Sequence, residues 1–431
     1  MKATKRTTRR KYLVRASLLA TAGAMSTLTG IAATAGPASA SSTVTLQLWD
    51  TYNAAGTPSE FSTMAGILKQ FQKENRGIKV TDVKIPYGDL LAKFISAAAA
   101  GDPPAVLRSD IAWVPSLAAD GVLVNMSRQK WAQPILKGAL AGPLSTNLYD
   151  GSYYGIPDDT NTQALFWNKA LFSAAGLSGP PTTLAQMWTD AATLTNASKG
   201  IFGLSVGGTD LWNVAPFIWS NGGALTNSSL TSATGYMNGT ATEATITELV
   251  NLDKAGDIGS DFVGGSGAIS DETGFSKGEY AMEVDGPWAV PTFNGISGLN
   301  YGVTTFPAGA GGSISTVGGE DLVIARDAPN IADAKLLAAF LASPYAQTRM
   351  AARGDMSGYT SDAAAEVKQN PYLGTFAQQL LTARARPVAP GYPELDADFA
   401  AELQEVQAGN LSVSDAMNVA AQEANAALSN P

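Results

Sequence analysis

The chain has 431 residues, 45% hydrophobic and 15% charged, with no cysteine, no histidine and a formal net charge of −9. Without thiol or imidazole it can build no disulfide, thiolate zinc site, iron–sulfur cluster, cysteine nucleophile or Ser-His-Asp triad. The acidic balance argues against nucleic acid as a partner, and the length fits two domains or one large one.

The first forty residues differ from the rest. Lys2, Lys5, Arg6, Arg9, Arg10, Lys11 and Arg15 are unbalanced by any acid, and Ala16–Ala35 carries no charge. That stretch is rich in Ala, Thr, Ser and Gly, too weakly apolar for a membrane span. It ends at Ala38-Ser39-Ala40, an A-x-A cleavage pattern, so residues 1–40 read as an export signal cut before Ser41. Thr8-Arg9-Arg10-Lys11-Tyr12-Leu13 fits a twin-arginine signal; an ordinary secretory signal with a crowded basic end is the alternative. Loss of those seven charges leaves 21 basic and 37 acidic residues, a net of −16. The mature chain is expected outside the cytoplasm, extracellular or in the cell envelope, with no cysteine-borne lipid anchor and no membrane span.

After the signal, Val44–Trp49 alternates apolar and polar as a strand does, and Phe61, Met64, Ile67, Leu68 and Phe71 fall at helical spacing. Ile78-Lys79-Val80 resumes a strand, Leu90, Leu91, Phe94 and Ile95 share a second helical face, and Val106-Leu107 is a third, buried strand. A helix follows near Trp113–Ala119. This β-α-β-α-β order predicts a largely parallel sheet flanked by helices. Ala164–Trp167 is a further strand, and Thr183 with Gln186 forms a capping box for a helix that buries Leu184, Met187, Ala191 and Leu194. Residues 259–268 and 307–319 are Gly-rich and read as loops. Ile331–Ser343 reads as a helix stopped by Pro344, and helices around Phe399, Leu403, Val406, Met417 and Val419 close the chain. Two α/β domains are expected.

Asp158-Asp159 and Glu320-Asp321 invite a glycoside-hydrolase reading, yet sequence neighbours do not supply two carboxyls opposed across a bond. No phosphate loop and no acidic calcium loop is present. What stands out is aromatic side chains in loops beside polar groups. Trp49-Asp50 ends the first strand, Arg108-Ser109-Asp110 ends the third, and Trp212, Trp219 and Asp285-Gly286-Pro287-Trp288 lie in or beside later loops. An indole against a sugar face, with Asp and Arg holding hydroxyls, is the chemistry such a set offers.

Seven ordered segments carry a resemblance over nearly the whole mature chain. They are GDPPAVLRSDIAWVPSLAADGVLVN from Gly101, YYGIPDDTNTQALFWNKALFSAAGL from Tyr153, PPTTLAQMWTDAATLT from Pro180, FIWSNGG from Phe217, FSKGEYAMEVDGPWAV from Phe275, GGEDLVIA from Gly318 and FLASPYAQTRMA from Phe340. The chain resembles extracellular solute-binding proteins of carbohydrate ABC transporters, of the maltose-binding-protein-like group. The resemblance implies an α/β, two-lobed periplasmic-binding-protein-like fold, each lobe a mostly parallel sheet flanked by helices, joined by hinge crossings. Residues 43–153 plus 318–359 would form the N-terminal lobe, and 154–317 plus 360–431 the C-terminal lobe.

Carried over by position, the resemblance implies ligand contact by Trp49, Asp50, Arg108, Asp110, Asp158, Asp159, Trp212, Trp288, Glu320 and Asp321. Tyr87, Arg353, Tyr359 and Tyr392 are secondary candidates. It implies a non-catalytic, monomeric receptor that closes on a mono- or oligosaccharide, maltodextrin-like favoured, and delivers it to ABC permease subunits, with no cofactor and no metal. Two departures stand out: Pro104-Ala105-Val106 replaces a common Pro-Asp-Val, and the lipid-anchoring cysteine of many relatives is missing. A secreted carbohydrate-active enzyme using the acidic pairs is the alternative. A receptor for a cationic ligand such as a polyamine is a third reading, disfavoured by Arg108 in the expected site.

Overall fold

The computed structural model describes residues 43–52, 59–359, 366–368 and 370–429. The expected export signal, residues 1–40, lies outside the described residues. Strands run in chain order as β1 (Val44–Asp50), β2 (Ile78–Lys84), β3 (Val106–Asp110), β4 (Leu148–Tyr149), β5 (Ser152–Tyr153), β6 (Ile156–Pro157) and β7 (Asp159–Thr162). They continue as β8 (Ala164–Asn168), β9 (Met282–Asp285), β10 (Tyr301–Thr304), β11 (Thr316–Gly318), β12 (Glu320–Ile324), β13 (Met356–Ser357) and β14 (Arg384–Ala385).

The first sheet has the order β2-β1-β3-β12-β6. As the alternation predicts, β1 pairs in parallel with both β2 and β3, while β12 returns antiparallel against β3 and β6. Side chains on a strand alternate faces, so each face of this sheet builds its own core. Leu46, Leu48, Leu322 and Ile324 meet Ile67, Leu68 and Phe71 of helix Glu60–Glu74 on one side. Leu107 and Val323 meet Leu90 and Phe94 of helix Tyr87–Ala100 on the other. Ser59 caps the first of these helices through the Ser62 amide, and Gly101, in the left-handed region at φ 76°, ends the second.

The second sheet, β10-β8-β9, is antiparallel throughout, which corrects the expectation of a mostly parallel sheet in each lobe. A short buried apolar run reports burial but no strand direction. Leu165, Met282 and Val284 face a core that also takes Phe399, Leu403, Met417, Ala424 and Ala427 from the last two helices, Tyr392–Gln407 and Val413–Leu428. Ala164 and Phe166 face the other way, onto Phe275, Phe293, Tyr301 and Phe376. A third sheet, β13-β7-β11-β14, is built from segments that run between the elements of the other two.

Three local expectations are refined. Residues 307–319 contain β11 and are not all loop, because its partners β7 and β14 are remote in sequence. Pro344 does stop helix Ile331–Leu341, but it also opens Pro344–Ala351, where a first-turn proline loses no hydrogen bond. At the capping box, Thr183 accepts from the Gln186 amide at 3.2 Å, whereas Gln186 reaches back to the Thr182 amide at 3.0 Å. Among the described residues no helix is long and apolar enough to cross a membrane.

Phe71 is fully buried in the first core. Phe71→Ala should cost about 3–5 kcal/mol of stability, read as a lower urea midpoint at unchanged slope.

Candidate functional site

The C-terminal ends of β1 and β3 and the start of β12 open onto a cavity of about 630 Å³. Its first wall carries Thr51, Tyr87, Arg108, Asp110 and Glu320, and its opposite wall Asp210, Trp212, Asn213, Glu272, Trp288, Arg386 and Asp396. Asn161, Gly318, Gly319 and Asp355 line it beside β7, β11 and β13.

Arg108 organises the floor. Its Nε donates to Asp158 at 3.2 Å, and one terminal nitrogen donates to Thr51 at 3.1 Å. The other terminal nitrogen donates to Asp159, to Glu320 at 2.8 Å and to Asp355 at 3.3 Å. The guanidinium carbon also sits 4.3 Å from the centre of the Tyr52 ring, whose hydroxyl donates to Asp158 at 2.9 Å. Burial alone would lower the Arg108 pKa, but Glu320 and the neighbouring groups outweigh it and raise it. On the acids, burial wins over Arg108: Asp158 is pushed up to about 6, and Glu320 and Asp355 well above the usual carboxylate range. A fork with five donors suits this role, since no other side chain can serve several carboxylates from one plane.

Asp110 is similarly committed. It accepts from the Tyr87 hydroxyl at 2.8 Å, the Ala112 amide at 2.6 Å and Arg386 at 2.9 Å. Arg386 follows β14 and lies 5.3 Å from the Trp212 ring, so this ion pair joins the two walls. Trp212 and Trp288 form an aromatic pair, with ring centres 6.1 Å apart and planes at 35°. Asn161 Oδ1, Asp355 Oδ2 and Arg386 Nε are buried beside the cavity with no hydrogen-bond partner among the described residues.

Gly318 makes the close approach possible. A Cβ there would overlap Asn161 Oδ1 and lie 2.6 Å from the Trp212 ring. Gly319, at φ 124°, holds a conformation that L side chains rarely adopt, and a Cβ would lie 2.6 Å from the Asp159 carbonyl.

Residues 66–375 match the family model described as bacterial extracellular solute-binding protein. The chain belongs to this family. Among solved structures, the GacH receptor of Streptomyces glaucescens, studied unliganded and with acarbose, is 25% identical, with a TM-score of 0.81 over 90% of this chain and 99% of that one. An ABC transporter solute-binding protein of Thermotoga lettingae, bound with α-D-tagatose, is also 25% identical, with a TM-score of 0.80 over 89% and 100%. A galactooligosaccharide-binding protein of Bacillus subtilis is 26% identical over 280 residues, 63% of this chain and 64% of its own.

In this solute-binding protein the expected site residues fall into three groups. Arg108, Asp110, Glu320, Trp212, Trp288 and Tyr87 line the cavity. Asp158 and Asp159 lie behind it, holding Arg108, and Asp50 is buried on Lys84 at 2.7 Å. The rest point elsewhere. Trp49 projects from the opposite face of β1 to Leu48 and Asp50, onto a shallow surface with Val83 and Ile85. Asp321, on the opposite face of β12 to Glu320, accepts from Asn147 at 2.9 Å. The Tyr359 hydroxyl donates to the Pro157 carbonyl at 2.6 Å, Arg353 lines a separate cavity, and Tyr392 is core. Thr51, Glu60, Asn161, Asp210, Asn213, Glu272, Asp355, Arg386 and Asp396 line the cavity without having been singled out. Asp355 and Arg386 could have been noticed as charges flanking strand-like segments; the others carry no local signature.

Two outcomes follow from this electrostatic arrangement. Arg108→Ala leaves two buried and two half-buried acids without their cation and should cost about 3–5 kcal/mol in urea denaturation, with Arg108→Lys recovering only part. Burial raises Asp50 to about 7, Asp158 to about 6 and Asp396 to about 7. These carboxyls hold protons more tightly folded than unfolded, so their contribution is present near pH 4 and is lost as pH rises through 6–7. The urea midpoint should therefore be higher at pH 5 than at pH 8, and the reverse order would contradict this balance.

Proposed function

We propose that the protein is an exported, non-catalytic saccharide receptor of an ABC transporter, with a maltodextrin-like oligosaccharide as the favoured ligand. The observation that carries this reading is the Trp212–Trp288 pair facing the same cavity as the unpartnered Asn161 Oδ1, Asp355 Oδ2 and Arg386 Nε. Indole faces suit the apolar faces of sugar rings, and a hydroxyl both donates and accepts, so one ligand answers both kinds of orphan atom. The cavity volume lies within the roughly 300–1,000 Å³ of small-molecule sites. Saccharide or saccharide-like ligands in the names of the similar proteins support the same class.

Within this reading, Trp212, Trp288, Asn161, Asp355 and Arg386 touch ligand, with Glu320 and Tyr87 at the edge. Arg108, Asp158 and Asp159 act by setting the floor. Residues 43–153 plus 318–359 and residues 154–317 plus 360–431 are the lobes that close, and the signal at 1–40 directs export, of twin-arginine type. The closed lobes then present the sugar to permease subunits. The hydrolase alternative loses support because Asp158, Asp159 and Glu320 all converge on one guanidinium while Asp321 turns to Asn147.

A ligand bound by the folded state alone raises its melting temperature. A melting screen across mono-, di- and oligosaccharides should give its largest shift with an α-linked oligosaccharide, recovered intact by chromatography. Trp288→Ala should weaken that binding by about 1–3 kcal/mol in calorimetry while remaining folded. Appearance of hydrolysis products would overturn the receptor reading, and unchanged affinity in the variant would remove Trp288 from the site.

A further inference from the structure

Behind the Trp288 wall the second lobe holds charge that nothing in the sugar site uses. Strand β9 reads Met-Glu-Val-Asp, and its two acids, two residues apart, project from one face. That face is the one bearing Ala164 and Phe166, their cross-strand partners on β8, and it looks into an aromatic core. Helix Asp271–Lys277 brings Asp271 to the same place, so that one carboxylate oxygen from each of Asp271, Glu283 and Asp285 lies within 4.8 Å of the others.

Glu283 is fully buried, and Asp285 is 3% exposed. The Gly286 amide donates to Asp285 Oδ1 at 2.7 Å, and the Glu272 amide to Asp271 Oδ1 at 3.0 Å. Among the described residues, both oxygens of Glu283 and Oδ2 of Asp285 lack any partner outside the cluster, and the two carboxyls lie close enough to share a proton with each other. Among the described residues, none of the ion pairs to a lysine or arginine involves any of the three acids. Burial foremost, then the neighbouring acids, pushes Glu283 and Asp285 well above the ordinary carboxylate range. Buried carboxylates are neutralised by protons or held on a cation. A shared proton satisfies two carboxyls; three, converging from a helix and a strand, offer six oxygens to a cation if each binds through both of its oxygens.

We propose that Asp271, Glu283 and Asp285 bind one calcium ion in the second lobe, directly behind the loop that carries Trp288. Hard carboxylate oxygens select Ca²⁺ or Mg²⁺ over softer ions, which favour nitrogen and sulfur. Mg²⁺ dehydrates reluctantly and keeps several waters, whereas the two strand acids are closed off from solvent. Asp271 is the partly open member, and its neighbour Glu272 lines the cavity. From Asp285 the chain passes through Gly286 and Pro287 to Trp288, so the ion braces the aromatic wall.

The test uses the full chain, stripped with a chelator, dialysed, and reloaded with about 1 mM CaCl₂ or MgCl₂, a range in which extracellular calcium sites operate. Metal content is read by atomic emission and stability by thermal melting. Near one calcium per chain and a melting temperature several degrees higher with calcium, but not with magnesium, is the expected result. Glu283→Gln and Asp285→Asn should each stay folded and lose the calcium and its stabilisation. Absence of bound calcium in the parent, an equal response to magnesium, or calcium retained by both variants would each overturn the assignment.

Discussion

One guanidinium surrounded by carboxylates is the constraint on which the cleft depends. Arg108 leaves β3 and takes Asp158 and Asp159 at the start of β7, Glu320 at the start of β12 and Asp355 just before β13. Asp158, Asp159 and Glu320 sit where the chain leaves or enters the first sheet, and Asp355 where it enters the third. The ion cluster therefore pins the connections to a common point. Acids this buried would repel one another without that cation, which is why a fork, and not a compact ammonium, occupies the centre.

With the floor fixed, the walls can differ. The Asp110–Arg386 pair ties the first sheet to the segment after β14, and Tyr87 holds Asp110 from the side. Gly318 lets the Trp212 ring come down on the backbone of β11, and Gly319 lets the chain pass close to Asp159 and Thr160 of β7. Trp212 owes its placement to Gly318 as much as to its own helix, Leu211–Ser220. The division of labour is thus electrostatic below and aromatic above, with unpaired polar atoms at the seam.

Much of this was legible from periodicity. The alternation in Val44–Trp49, the helical spacing of Ile67, Leu68 and Phe71, and the third strand at Val106-Leu107 carried the first sheet correctly, because burial writes itself into local pattern. Arg108, Asp110 and Trp288 reach the cavity for a related reason: polar and aromatic residues stand at the ends of apolar strands. The limits were those of one-dimensional information. Trp49 and Asp321 sit beside true floor residues in sequence but on the other face of their strands, a distinction that needs the pairing partner. Asn161, Asp355 and Arg386 come together through a sheet of two- to four-residue strands, too short for any period to emerge.

The core beneath the second sheet has a bearing on how the chain is made. It joins Leu165 to Phe399, Met417 and Ala427, so residues from the middle of the chain wait for its final helix before their apolar surface is covered. Long sequence separation between contacting residues slows folding and prolongs the exposure of unfinished surface. By contrast, the first-sheet cores gather residues that lie between Val44 and Tyr359. One half can close while synthesis continues, and the other reaches its native packing only after residue 427 has left the ribosome. Loss of the terminal helix would leave a formed half beside an open one.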